Sequence, residues 1–116
     1  MPRRSEYVDW LFEQLAPLGT LRARAMFGAF GLYCDDLFFA IVDDDVLYIK
    51  VDDVCRSEFE AEGLRPFTYP MKDGTTSTLS YYPLPDFSLE NQHELVFWAK
   101  KGLAAALRAK NSGKKR

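Results

Sequence analysis

The sequence predicts an α+β domain, a single and mainly antiparallel sheet with helices packed on one of its faces. Three observations predict it. Apolar residues recur at helical spacing near both ends and once in the middle, and short alternating runs fill the space between. The links between successive runs are too short for parallel crossovers. The apolar helix stripes carry Phe12, Phe59 and Trp98, which must be buried against a sheet. The expected order is α-β-β-β-β-α-β-β-α. The 116 residues suit one domain with a core of its own, drawn here as 1–110 with a disordered basic tail at 111–116.

Each element has a local reason. Ser5 is a plausible N-cap, and Glu6 and Asp9 suit a first helical turn. Val8, Leu11, Phe12 and Leu15 then form one apolar stripe until Pro17 and Gly19 stop it. Leu21 to Met26 alternates, with Leu21, Ala23 and Ala25 on one side and Arg22 and Arg24 on the other. Gly28 and Gly31 break the β region and suggest a bulge or a close backbone approach. Leu32 to Cys34 resumes extension, and Asp35-Asp36 turns the chain. Leu37 to Val42 is apolar on both faces, as a central strand should be. Asp43, Asp44 and Asp45 make a second tight turn. In Val46 to Val51, Leu47, Ile49 and Val51 point inward and Tyr48 and Lys50 outward.

Asp52 or Asp53 caps a second helix through Phe59, with Gly63 just past its end. Pro66 to Tyr69 and Thr76 to Tyr82 read as strands around a Lys72-Asp73-Gly74 turn. A long helix follows, from about Leu89 or from Asn91 as cap, to about Ala109. Leu95, Ala99, Gly102, Leu103 and Ala106 form its packing stripe.

Charge and composition exclude several functions. The net charge is −2, but six of the fifteen basic residues lie in the terminal segments. The body therefore sets nine basic residues against seventeen acidic ones, a poor surface for a phosphate backbone. No apolar h-region follows Arg3-Arg4 and no apolar run approaches a membrane span, so a reducing cytoplasm is the expected home. The Gly28-x-x-Gly31 spacing is neither a dinucleotide fingerprint nor a phosphate loop. The aspartate triplet fails as a calcium loop, because Tyr48 stands at the glycine position and Val54 at the glutamate position. His93 is the only histidine and falls on a polar helix start. Cys34 and Cys55 lack metal spacing, and only Cys55, beside Arg56 at a helix start, has any reason to be reactive. No catalytic, metal or cofactor-binding residue is assigned, and no cofactor is expected.

One surface stands out. Tyr48 and Lys50 on one strand, with Thr76, Thr78, Ser80 and Tyr82 on another, could share an exposed sheet face. Tyrosine favours interfaces, so Tyr48, Lys50 and Tyr82 mark a candidate interaction face. The same tyrosines could stack bases, although no RNP1-like string is present.

The segments Arg24-Ala-Met-Phe-Gly28, Gly31-Leu-Tyr33, Phe39-Ala, Leu47-Tyr-Ile-Lys-Val-Asp52, Pro66-Phe-Thr-Tyr69, Tyr82-x-Leu-Pro85 and Trp98-Ala come in a fairly specific order and spacing. In this they resemble the TfoX N-terminal domain of the TfoX/Sxy regulators of bacterial competence. The resemblance implies a non-enzymatic, cytoplasmic regulatory domain, here in a stand-alone form without the second, C-terminal helical domain of longer members. It implies a protein partner such as a transcription regulator, with a homodimer also in view. Arg24, Met26, Phe27, Gly28 and Gly31 become a signature of structural character. Two other readings stay open. One is a nucleic-acid-binding module using the basic termini and sheet tyrosines, disfavoured by the acidic body. The other is a small-ligand or enzymatic domain with a pocket near the Gly28/Gly31 corner.

Overall fold

The computed structural model describes residues 6–26 and 28–113. Helix α1 (Glu6–Leu15) ends in a 3-10 turn at Ala16–Leu18, where Pro17 cannot continue the helix. Four strands follow as a meander: β1 (Leu21–Met26), β2 (Ala29–Cys34), β3 (Leu37–Asp43) and β4 (Val46–Lys50). After α2 (Arg56–Ala61) come the short strands β5 (Thr68–Pro70), β6 (Thr76–Thr78) and β7 (Tyr81–Pro83). A 3-10 turn at Asp86–Glu90 leads into the long helix α3 (Gln92–Gly113). The α+β class and the antiparallel pairing are as the sequence predicts: the main sheet runs β1-β2-β3-β4-β7, antiparallel throughout.

The hairpin turns are set by aspartate. Asp35 and Asp36 have φ of 49° and 68°, and Asp44 and Asp45 have 53° and 58°. Two consecutive left-handed residues make the turn whose twist matches the flanking strands, and aspartate reaches that conformation more readily than most side chains. At the first corner Met26 pairs with Ala29, and Gly28 supplies a φ of 80°. Between β2 and β3 the register shifts by a bulge. Leu32 faces Ala40 while Tyr33 faces Phe38, so Phe39 is the extra residue, and it is fully buried.

The core lies between the sheet and the helices. Leu32, Cys34, Ala40, Val42, Leu47 and Ile49 meet Val8, Leu11 and Leu15 of α1, Phe59 of α2 and Leu95, Trp98 and Ala99 of α3. Helix α3 comes in closest at Gly102. A Cβ there would stand 2.1 Å from Ile49 Cγ2, 3.1 Å from the Phe39 carbonyl and 3.3 Å from the Lys50 nitrogen. Asp52 ties the helices at one end. Cys55 rather than Asp52 or Asp53 is the N-cap of α2; the Asp52 carboxylate instead accepts the Val54 N–H in the turn before that helix, and also the Arg108 Nε and Nη2 donors from α3 at 2.6 and 2.9 Å.

Three further expectations change. The single strand Thr76–Tyr82 is two strands in different sheets, because the ladder breaks at Leu79 and Ser80. The long helix starts at Gln92, with the Asn91 side chain accepting the Glu94 N–H, so the Asn91 cap is the correct reading. It continues to Gly113, past Ala109 and three residues into the expected tail. Ser5, Phe27, Arg3-Arg4 and the terminal Lys114, Lys115 and Arg116 lie outside the described residues.

Candidate functional site

All three helices pack on one face of the sheet, which leaves the other face free for function. Period-two alternation decides its content. Arg22 and Arg24 of β1, Gly31 and Tyr33 of β2, Phe38 and Ile41 of β3, Tyr48 and Lys50 of β4 and Tyr81 of β7 point away from the helices. The β5–β6 hairpin bends over this face. The Leu79 N–H donates to the Phe67 carbonyl at 2.9 Å within the hairpin, and the Phe67 N–H donates to the Tyr81 carbonyl at 2.7 Å, so the hairpin hangs from β7. The Phe67 ring then lies 4.7 Å from Tyr48.

Between the hairpin and the first strands runs an apolar trough of about 620 Å³, lined mainly by Met26, Phe38, Ile41, Phe67, Leu79 and Tyr81. Ala29 also lines it, and Asp43 is the one charged lining residue. Gly31 forms its floor. A Cβ there would fall 2.5 Å from Met26 Cε and 2.9 Å from Phe38 Cε1, so the missing side chain is what lets those two approach.

Phe38 and Tyr81 of the lining belong to a strip of rings with a cation at each end. Arg22 lies 4.5 Å over the Tyr33 ring, and Tyr33 stacks on Phe38 at 5.1 Å. Phe38 reaches Tyr81 at 6.0 Å, and Lys50 Nζ lies 5.5 Å over Tyr81. Rings attract cations through their negative faces, which holds both side chains against the strip. Among the described residues, Lys50 and Arg24 have no carboxylate within ion-pair distance, and Arg22 has only the exposed Asp36 at 3.4 Å. Burial first, and then the neighbouring Tyr33, push the Tyr81 phenol up to about 12. It is a hydrogen-bond donor at any physiological pH.

The sequence-named residues divide between the two sides of the sheet. Arg24, Met26, Gly28, Gly31, Tyr48 and Lys50 all belong to the open face or its corner. Tyr82 does not, which corrects its grouping with Tyr48 and Lys50. It pairs with inward-facing Ile49, is buried with its ring 5.8 Å from Phe59, and its hydroxyl donates to Glu60 at 3.1 Å. The break at Leu79–Ser80 slips the alternation by one, so Tyr81 takes the open face instead. Thr76, Thr78 and Ser80 are exposed around the hairpin rather than in line with Tyr48. Sequence reasoning passed over Tyr33, Phe38, Ile41, Phe67, Leu79 and Tyr81. Their signal was the β3 run apolar on both faces, since helices cover only one.

Among the described residues one thiol meets a carboxylate: the Cys55 S–H donates to Asp52 at 3.5 Å, and Arg108 holds that same carboxylate. Cys34 and Cys55 are both buried. Burial pushes both thiols up, aided at Cys34 by Asp35 and opposed at Cys55 by an Asp52 backbone contact, so neither is poised as a thiolate. His93 is exposed on α3 beside a smaller hollow of about 270 Å³ with Pro17, Val96 and Phe97. Among the described residues no group of three or more His, Cys, Asp or Glu could hold a metal ion. No helix among them is long and apolar enough to cross a membrane.

The TfoX N-terminal domain profile matches residues 13–106, which is most of the chain. The chain belongs to the TfoX N-terminal domain family. It is 37% identical over 103 residues to Protein Sxy of Escherichia coli strain K12, covering 86% of this chain and 47% of that protein. It is 31% identical over 82 residues to DNA transformation protein TfoX1 of Aliivibrio fischeri, covering 71% of this chain and 39% of that one. The chain thus spans less than half the length of either relative. The matched region takes in all of β1 to β7, so the trough lies wholly inside the family domain.

Proposed function

We propose that this chain is a non-catalytic regulatory domain that works through protein contacts in a bacterial, competence-type transcriptional circuit. Family membership carries the reading, since one relative is named for DNA transformation. Two structural features support it. Both thiols are buried, and among the described residues no group of three or more His, Cys, Asp or Glu could hold a metal ion. Apolar side chains also stand in solvent, with Phe97 and Leu107 of α3 each about half exposed. Anchors of that kind are what a partner's pocket takes up. The cytoplasm is the compartment this role requires, and a transcription regulator is the expected partner.

The test is a pull-down from native bacterial lysate, coupled to a mass measurement of the purified protein. A transcription regulator should be enriched with the wild-type bait. Phe97→Ser and Lys50→Glu baits then assign the contact to α3 or to the open sheet face. Recovery of no regulatory protein, or turnover of a metabolite by the purified chain, contradicts the reading.

The trough favours a second reading, that the domain takes a small ligand near the Gly31 corner. Direct binding of nucleic acid is the weaker alternative. Asp43, Asp44 and Asp45 border the face that bases would have to reach.

A further inference from the structure

The open face keeps an apolar trough of about 620 Å³ inside a chain that otherwise packs its large side chains against helices. That volume falls within the range that encloses small ligands. Its polar groups are sorted by position. Along the ring strip the Tyr33 and Tyr81 rings carry Arg22 and Lys50 against them. Neither tyrosine hydroxyl has a hydrogen-bond partner among the described residues. At the corner end, beside Met26 and Ala29, the single lining charge is the Asp43 carboxylate. Tyr81 of the lining, with Tyr33 and Lys50 flanking it, offers hydroxyl donors and one cation to an anion, while Arg22 stands at the opposite end of the ring strip. A lone carboxylate at the corner end accepts a hydrogen-bond donor. Between them the surface is ring faces, a thioether and Ile41, which suits a flat apolar body.

We infer that the trough binds a small aromatic carboxylate, with its acid group toward Tyr33, Tyr81 and Lys50 and a hydroxyl or amine at its far end toward Asp43. The phenol of Tyr81 stays protonated and donates, while Lys50 leaves the ring face to meet the charge. The hairpin that carries Phe67 and Leu79 closes over the ring, since among the described residues one backbone hydrogen bond, Phe67 N–H to the Tyr81 carbonyl, fastens it to β7. The inference stands apart from the regulatory reading. A ligand site would exist whether or not the domain docks a protein, and the two tests fail independently.

The experiment is a titration followed by amide chemical shifts and by calorimetry, with three matched probes. Para-hydroxyphenylacetate carries both end groups, phenylacetate lacks the hydroxyl, and tyramine replaces the acid with an amine. The inference predicts saturable shifts at Ala29, Phe38, Ile41 and Tyr81 with para-hydroxyphenylacetate. It predicts several-fold weaker binding of phenylacetate and at least about tenfold weaker binding of tyramine. Tyr81→Phe combined with Lys50→Met should weaken the first probe by about tenfold or more. Val54→Ser, at a solvent-exposed position on the far side of the sheet, should not change it. Equal binding of tyramine, shifts centred on His93 and Phe97, or no response to any probe at millimolar concentration would each overturn the site. The probe series on the wild-type protein decides the matter even if the double variant fails to fold.

Discussion

Gly102 and Asp52 show how much single positions control here. A side chain at Gly102 would meet Ile49 and two backbone atoms, not the mobile end of a long side chain, so the helix itself must move away. Overpacking of that kind costs about 1–3 kcal/mol. Gly102→Val should lower the urea midpoint accordingly, whereas Gly63→Ala, where a Cβ would meet nothing but the φ of 79° is strained, should cost less. Equal losses at both would show that α3 does not depend on close approach. Asp52 gives a pH signature. The Arg108 hydrogen bonds, ahead of the Cys55 contacts, lower its carboxyl from 3.8 to about 2. A carboxyl depressed by folding adds stability that is complete above its unfolded value and is lost as pH falls through its folded one. The window is therefore about pH 4 down to about pH 2. Because both side chains are partly exposed, at 40% and 29%, solvent screening reduces the gain to about 1 kcal/mol. Urea titrations of wild type and Arg108→Met should diverge above pH 4 and converge toward pH 2. Parallel curves would mean that the pair adds nothing.

Among the elements, the aspartate turns make the sharpest claim. Asp44 and Asp45 are left-handed, so Asp44→Gly should be near neutral, while Asp44→Val should cost about 1–2 kcal/mol in thermal denaturation. A valine variant as stable as wild type would mean that the loop can adopt another turn. These turns were legible in advance because consecutive aspartates between alternating apolar runs leave few alternatives. The meander, the inward Leu47 and Ile49 and the outward Arg22 and Arg24 were legible for the same reason: each strand's alternation is complete within itself. Strand Thr76–Tyr82 was not. Its β propensity is high throughout, so composition hides the break at Leu79–Ser80, where the chain leaves one sheet and joins another. That break put Tyr81, not Tyr82, on the open face. A pocket near the Gly28/Gly31 corner was among the expectations, but its lining and roof were missed, because they depend on a hairpin folding back rather than on any local motif. The hairpin is correspondingly the element expected to open most readily. Phe67→Ala should speed amide exchange at Leu79 and Tyr81 selectively, leaving β2 and β3 protected. Uniform exchange across the sheet would contradict a hanging roof.

The whole molecule is two-sided. One sheet face is spent on the core, and the other, with its rings, cations and trough, remains open. The solvent-exposed Phe97 and Leu107 lie on a helix surface of their own. An acidic body with this arrangement predicts weak, strongly salt-dependent association with nucleic acid at most. A filter-binding titration should show no retention above moderate salt. Tight salt-resistant retention would reverse that ranking of partners. On the proposed reading, the domain works through what it touches.

That dependence on contact is tested most directly by the native-lysate pull-down quantified by mass spectrometry. Enrichment of a transcription regulator by the wild-type chain, lost with Phe97→Ser or Lys50→Glu baits of unchanged melting temperature, is the predicted result. A bait that returns no regulatory protein while the purified chain converts a metabolite would contradict the account.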